Sequence, residues 1–341
     1  MEPILSIIIP CFNSSKYLIE MLECIQGQSL ENWELLLVDD GSNDDTLHIV
    51  KRYADVDGRI KIFKRCREPK GSVTCRNIGF DNSIGKYIIH LDADDLISHT
   101  CFEKRVEFME KNPDIDYASF PAKSFTDSSN LPLFSDENKT WGCGTEEEDM
   151  LERFLKVDYP FSVWCNIYRR DSIKDFHWDE KVKIYTDFSF IIPMILAGKK
   201  HKYSNINQVD YFYRKSESGQ NMCSNFVSSE KCESTIYLFK KTLDSIKENP
   251  NYRKYKKCFF NFILLHFFRL AAKHDDIDIN KYCVFLKKYY NWYNVNILKT
   301  AYSISKNIKN PKLSYYYLKL FIYIFLPRKE AIRSIIKRLF K

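Results

Sequence analysis

No two cysteines stand in a C-x-x-C arrangement, and no His/Cys spacing suits a structural metal. The eleven cysteines are scattered instead. An odd, unpatterned set predicts reduced thiols in a cytosolic protein, most of them serving as small buried apolar residues. No uninterrupted apolar run reaches the roughly 18 residues of a membrane-spanning helix, so none is expected. Met1-Glu2-Pro3, followed by Ile4 to Ile9, has no basic leader, and its apolar run stops at Pro10. That pattern predicts a first strand and not a targeting signal. Neither a G-x-x-x-x-G-K loop nor a G-x-G-x-x-G fingerprint occurs, which excludes the two commonest glycine-based phosphate cradles. The net charge is only +7, and there is no nucleic-acid-binding motif, so no nucleic-acid partner is expected.

What is present is material for a large core. The chain has 341 residues, 45% hydrophobic and 28% charged, enough for one large or two ordinary domains. The first hundred residues alternate in type. Ile4–Ile9, Leu35–Val38, Ile60–Phe63 and Tyr87–Leu91 are short strand-like runs. Helical periodicity separates them, at Tyr17 to Ile25, Leu47 to Tyr53 and Val73 to Ile84. Thr100 with Glu103 predicts a capping box for a helix running to about Lys111. This alternation predicts an α/β fold with a mixed, mostly parallel sheet flanked by helices. Residues 113–145 look irregular, residues 146–222 are mixed, and a helical region rich in Lys, Tyr and Phe begins at about 223.

In such sheets ligands bind at the carboxyl ends of the strands. Three of those ends carry polar or turn-prone residues: Pro10-Cys11-Phe12-Asn13, Asp39-Asp40-Gly41-Ser42 and Asp92-Ala93-Asp94-Asp95. Three carboxylates within four residues repel one another, and burial would raise their pKa values. A divalent cation removes that cost. Oxygen ligands suit Mg2+ or Mn2+, with substrate phosphates completing the shell. A bare D-x-D serves equally as a solvated turn before a helix, and the strand in front of this one is what favours a site. Asp39 and Asp40 stand where a carboxylate accepts a base N–H or a ribose hydroxyl, whereas Ser42 to Thr46 suits a turn and a helix cap. Arg76, in Gly71-Ser-Val-Thr-Cys-Arg-Asn-Ile-Gly79, opens a helix and can pair with a phosphate, although a lone arginine is also an ordinary surface residue.

Together, Pro10-Cys-Phe-Asn13, Val38-Asp-Asp-Gly-Ser-Asn-Asp-Asp-Thr46, Cys75-Arg-Asn-Ile-Gly79 and Gly85-Lys-Tyr-Ile-Ile-His-Leu-Asp-Ala-Asp-Asp95 resemble the family 2 glycosyltransferases. Order, spacing and strand context agree over about residues 4–110. The resemblance implies the GT-A (Rossmann-like) fold and a donor site built from Pro10, Phe12, Asp39, Arg76, Asp92 and Ala93. Phe12 would lie beside the base, Asp39 would bind the uracil and Arg76 would neutralise the diphosphate. Asp92 would contact the ribose or sugar, and Asp94 would hold Mn2+ or Mg2+. Inverting members carry an acidic pair before an amphipathic helix. Here Lys183-Ile-Tyr-Thr-Asp-Phe-Ser-Phe190 has Thr186 in the first place and Asp187 in the second, which makes Asp187 the expected catalytic base. Asp187 as a mere helix cap is the alternative; the preceding Val163-Trp-Cys-Asn-Ile-Tyr-Arg169, which also resembles the family, favours the base. Cys75 replaces the usual alanine, small for small. Tyr211-Phe-Tyr-Arg214 resembles a later segment near the acceptor, with Arg214 as a simple salt-bridge partner the alternative.

The expected organisation is a nucleotide-sugar-binding half (1–112), an acceptor-binding and catalytic half (113–222) and a helical region (223–341). The expected activity is transfer from a UDP-sugar donor to a hydroxyl of a glycan or lipid-linked acceptor, with inversion, in bacterial surface-polysaccharide synthesis. Phe259, Phe260, Ile263, Leu264, Phe267 and Phe268 form an apolar stripe expected to be core. At the end, Ile332, Ile335, Ile336, Leu339 and Phe340 share one helical face, flanked by six Lys and Arg side chains. A basic amphipathic helix of this kind suits an anionic membrane surface, so residues 313–341 are expected to hold the protein at the inner face of the cell membrane. Packing of that helix on the protein is the alternative. A processive synthase is not expected, because multiple spans and a Gln-x-x-Arg-Trp segment are missing. Two rival readings are a sugar- or nucleotide-binding protein with a decayed site, to which Thr186 points, and a metal phosphohydrolase. The latter lacks its Asp nucleophile, because Pro10-Cys11 occupies that position.

Overall fold

The computed structural model describes residues 2–126, 128–137, 139–215, 228–273, 279–290, 295–297, 299–300 and 302–303. The chain divides into two compact units, Met1–Ser224 and Asn225–Lys341.

The first unit opens with β1 (Leu5–Cys11), α1 (Ser15–Gln26), β2 (Trp33–Asp39), α2 (Thr46–Ala54), β3 (Ile60–Lys64), α3 (Ser72–Asp81) and β4 (Tyr87–His90). Next come β5 (Leu96–Ile97), α4 (Cys101–Lys111), β6 (Tyr117–Ser119), β7 (Ala122–Phe125) and α5 (Met150–Leu155). A 3-10 turn at Val163–Cys165 leads into β8 (Asn166–Arg169), followed by α6 (Arg170–Ile173), α7 (Thr186–Leu196), β9 (His201–Tyr203) and β10 (Tyr211–Arg214). Seven strands form one sheet in the order β3-β2-β1-β4-β8-β6-β9, and three form a second in the order β5-β10-β7. The mixed, mostly parallel sheet is the one expected from the alternation.

β1 and β2 are apolar and buried along nearly their whole length, as parallel strands covered on both faces must be. In α1 the buried residues Leu18, Met21, Leu22 and Ile25 repeat at helical spacing, and the helix packs beside α2 and β5. α3 presses closest. A Cβ on Gly79 would stand 2.5 Å from the Ile8 side chain, so only glycine allows this approach to β1. That contact fixes the depth of the helix that carries Arg76.

β1, β2, β3 and β4 are mutually parallel, so their carboxyl ends share one edge. β8 runs antiparallel to β4, with Ile89 opposite Ile167. Its first residues, not its last, therefore arrive at that edge.

Two expectations are corrected. The capping box at Thr100 does not form: Thr100 makes no side-chain cap bond, and Glu103 accepts a hydrogen bond from Ser29 Oγ at 2.8 Å. A tertiary partner wins over the local one. Within residues 113–145, β6 and β7 are regular strands, too short to show a period in the sequence.

The second unit contains α8 (Ser229–Ser245), α9 (Tyr252–Lys273) and α10 (Ile279–Tyr289). Phe259, Phe260, Ile263, Leu264 and Phe267 of α9 are buried, as expected of a core stripe. Among the described residues no helix is long and apolar enough to cross a membrane. The basic segment 313–341 lies outside the described residues.

Candidate active site

Two loops at the sheet edge are laced together. Asn13 N donates to Ser42 Oγ (3.0 Å) and Asn43 N to Asn13 Oδ1 (2.9 Å). Ser14 N donates to Thr46 Oγ1 (2.7 Å), and Asp44 accepts from the backbone N–H groups of Ser15 (3.1 Å) and Thr46 (3.0 Å). The Ser42–Thr46 segment is thus turn and cap, and it serves both α1 and α2. Pro10 pairs beside Val38 inside the sheet. Phe12, just past β1, is 47% exposed. Asp39 is buried at the end of β2, and its carboxylate accepts from Gly41 N (3.0 Å) and Ser42 N (3.2 Å). Asp40 is committed elsewhere, to Arg65 Nε at 2.7 Å.

Arg76 comes up from α3, almost wholly buried. Nη2 is ion-paired with Asp92 and Nη1 donates to the Leu91 carbonyl at 3.3 Å. Its guanidinium rests over the Trp178 ring at 5.3 Å. Trp178 in turn stacks on Phe190 of α7 at 4.8 Å and 4°. Beneath it His90 is buried, and desolvation, then the Arg76 charge, hold its pKa well below the ordinary histidine value.

The three carboxylates after β4 have separate environments. Asp92 faces Arg76. Asp95 is fully buried and accepts from Tyr211 Oη and from Arg214 N at 2.6 Å. Burial first, then Asp92 and Asp94, push its pKa well above the usual carboxylate range. Asp94 opens to solvent at the edge. Desolvation by the surrounding protein and the nearby Asp92 push it up to about 6. Ala93, between them, is buried. Arg214 knots the segment down: Nε donates to the Asp94 carbonyl (2.6 Å) and Nη2 pairs with Glu20 of α1 (2.9 Å).

Asp187 starts α7. It is not a cap of its own helix, because its Oδ2 accepts from Ser162 Oγ–H and from Val163 N–H (3.3 Å), on the segment leading into β8. Its pKa is raised by burial, against the lowering by Ser162, Arg76 and Val163, with Asp92 adding to the rise. Asp187 is therefore within electrostatic reach of both Arg76 and Asp92. The fold brings Arg76, Asp92, Asp94 and Asp187 to one place from positions more than a hundred residues apart. Phe12 and Asp39 stand further along the same edge.

Ser162 and Trp178 are the participants that the sequence did not reveal, whereas Val163 opens a segment that resembles the family. Nothing local marks a serine that will orient a carboxylate 25 residues later. Arg214 carried a signal, in Tyr211-Phe-Tyr-Arg214, and its charge turns out to hold both Asp94 and Glu20.

Among the described residues no group of three or more His, Cys, Asp or Glu side chains is arranged for a metal. The local chemistry nevertheless fits a cation that takes most of its ligands from elsewhere. Asp94 is an oxygen donor whose pKa is raised by desolvation and then by the like charge of Asp92, and a divalent ion relieves that cost.

The sequence and the fold are similar to those of known proteins. The model described as glycosyl transferase family 2 matches residues 6–176. The minor teichoic acid biosynthesis protein GgaB of Bacillus subtilis (strain 168) is 28% identical over 295 residues, covering 82% of this chain and 31% of GgaB. An uncharacterized glycosyltransferase of Haemophilus influenzae is 40% identical over 111 residues, 32% of this chain and 44% of that protein. The chain thus spans less than half the length of these two relatives. Among solved structures, S. aureus TarS 1–349 in complex with UDP-GlcNAc superposes with a TM-score of 0.64 at 20% identity, over 93% of this chain and 90% of that one. A mannosyltransferase from Pyrobaculum calidifontis, solved with GDP-Man and Mn2+, gives 0.54 at 15% identity over 97% and 89%.

Proposed function

The chain belongs to glycosyl transferase family 2, and from that membership we propose that it transfers a sugar from a UDP-sugar to a hydroxyl of a glycan or lipid-linked acceptor. The observation that carries the reading is the meeting of Arg76, Asp92, Asp94 and Asp187 at the carboxyl edge of the sheet. Residues 1–112 hold the donor and residues 113–222 the acceptor. GgaB's name supports a polymer of the cell surface as the product class.

Phe12 and Asp39 take the uracil. The Asp39 carboxylate is already aimed by two backbone N–H groups and keeps lone pairs for a base N–H. Arg76 fixes Asp92 toward the ribose or sugar and sets positive charge beneath the diphosphate. Asp94 and the donor phosphates would hold Mn2+ or Mg2+, which when bound offsets the charge building on the departing UDP.

Asp187 accepts the proton of the acceptor hydroxyl. That oxygen attacks the anomeric carbon as the bond from that carbon to the diphosphate oxygen breaks. UDP leaves with the bonding electrons, Asp187 is left protonated, and one displacement inverts the centre. Both hydrogen bonds that Asp187 accepts fall on Oδ2, which leaves Oδ1 for the acceptor proton. Its raised pKa makes it a better base than a solvated aspartate.

Purified protein with Mn2+ and a panel of UDP-sugars tests the reading. Release of UDP that increases with acceptor supports it. UDP binding without release under any condition would favour a non-catalytic binding protein. Residues 313–341 are proposed to lie on anionic membrane. Truncation after Asn310 should then release the protein from anionic liposomes, and unchanged sedimentation would remove that part of the proposal.

A further inference from the structure

The loop after β3 and the first half of α3 carry four cations, Arg65, Arg67, Lys70 and Arg76. Three of them face carboxylates. Arg65 pairs with Asp40 and Glu68, Arg67 with Glu180 and Asp81, and Arg76 with Asp92. Lys70 does not. Its ammonium lies over the ring of Phe12, 3.7 Å from the centroid.

The backbone under Lys70 is firmly held. Lys70 N donates to Glu68 Oε2 (2.9 Å), Thr74 Oγ1 to the Pro69 carbonyl (2.6 Å) and Gly71 N to Asp40 Oδ1 (3.3 Å). Only the four-carbon stem is left to move.

The sheet order says what that stem crosses. It runs β3-β2-β1 at this edge. Gly71 N is bonded to Asp40, the residue after β2, so the Lys70 stem starts beside the end of β2 and spans from there to the residue after β1. The end of β2 is Asp39, in register with Cys11 on one side and Lys64 on the other. Lys70 therefore lies across the place assigned to the base, and its charge covers the ring on which that base would rest.

We propose that Lys70 makes occupancy of the Phe12 platform conditional on a phosphate. In the empty site its ammonium is held by the ring face of Phe12. A ligand that brings only a nucleoside must displace this cation into water. A ligand that brings a diphosphate supplies a better partner than the ring, and the ammonium moves from Phe12 to the phosphate oxygens as the base takes its place. Lys70 is on this account a specificity residue that favours nucleoside diphosphates over nucleosides. The inference rests on the assignment of Phe12, Asp39 and the neighbouring edge to a UDP-sugar.

Calorimetric titration with UDP and with uridine separates the outcomes, using the full chain, Lys70→Met and Lys70→Arg. Lys70→Met keeps the length of the stem and removes the charge. It should weaken UDP about tenfold or more, as expected for loss of a charge-assisted hydrogen bond. It should leave uridine equal or about two- to fivefold tighter, because the ring is uncovered. Lys70→Arg should restore most of the preference for UDP. Thermal melting checks that the exposed substitution leaves the fold intact. If folded Lys70→Met binds UDP as well as the parent chain, or loses UDP and uridine alike, the proposal is overturned while the donor-site reading stands. If the parent chain binds no UDP, the donor-site reading fails and the proposal falls with it.

Discussion

Replacing Ser162 by alanine removes one of the two hydrogen bonds that Asp187 Oδ2 accepts and leaves the Val163 N–H at 3.3 Å. Both bonds favour the ionised carboxylate, while burial opposes it and leaves the pKa raised. Losing a donor must therefore raise it further. A hydrogen bond to a charged group contributes about 1.5–3 kcal/mol. Alanine leaves space that water can use, so the lower end applies. One pKa unit corresponds to about 1.4 kcal/mol, or tenfold in ionised fraction. For Ser162→Ala the acid limb of kcat/KM is thus expected to move to higher pH. At a fixed pH on that limb the rate should fall about tenfold. The alkaline plateau should hardly change, because there Asp187 is ionised in both proteins. Initial rates of UDP release across the acid and neutral range measure this, and Ser162→Thr should recover the parent profile. Superimposable profiles for the folded alanine variant would refute Asp187 as the titrating base.

Three further outcomes follow from the same geometry. Asp187→Asn should bind UDP as the parent chain does and lose at least about a hundredfold in transfer, the usual worth of a general base; normal transfer would end its assignment. Asp94 has a folded pKa above the ordinary carboxylate value, so its ionisation costs stability as pH rises toward and through about 6. Mn2+ with UDP should therefore raise Tm more at neutral pH than one unit below that value, and Asp94→Ala should lose the difference. Arg105 and Asp210 form a buried bidentate pair at 2.7 and 2.8 Å. Asp210→Asn removes the counter-charge of a buried guanidinium and is expected to cost about 3–5 kcal/mol in urea unfolding. A loss under about 1 kcal/mol would mean that the pair is better solvated than its burial indicates.

The long parallel strands were legible because burial on both faces forces continuous apolar runs, as in Ile7-Ile-Ile9 and Leu35-Leu-Leu37. The strand ends at Phe12, Asp39 and Asp92 were legible for the same reason, since a polar cluster stands out where such a run stops. The second sheet was not. β5 is two residues long and owes its place to Asp95, whose partners Tyr211 and Arg214 lie more than a hundred residues on. The predicted cap at Thr100 failed because Glu103 found Ser29 across the fold. Local rules rank local partners only. The setting of Asp187 was hidden in the same way: the segment from Val163 stood out by resemblance, but its contact with Asp187, and Ser162 altogether, did not, because they belong to a different loop.

The reversed direction of β8 has a consequence for how this architecture can vary. Its pairing with β4 places Asn166 level with His90, so the Ser162–Val163 cradle is metered from the strand beside Asp92. Residues added or removed between β7 and α5 change the surface without altering that count. A residue added inside β8 would displace the cradle by about 3.4 Å and turn its side chains to the other face. The strand acts as a gauge block. Loops around it can diverge from one descendant to the next, while the distance between the two carboxylates is inherited as a number of residues.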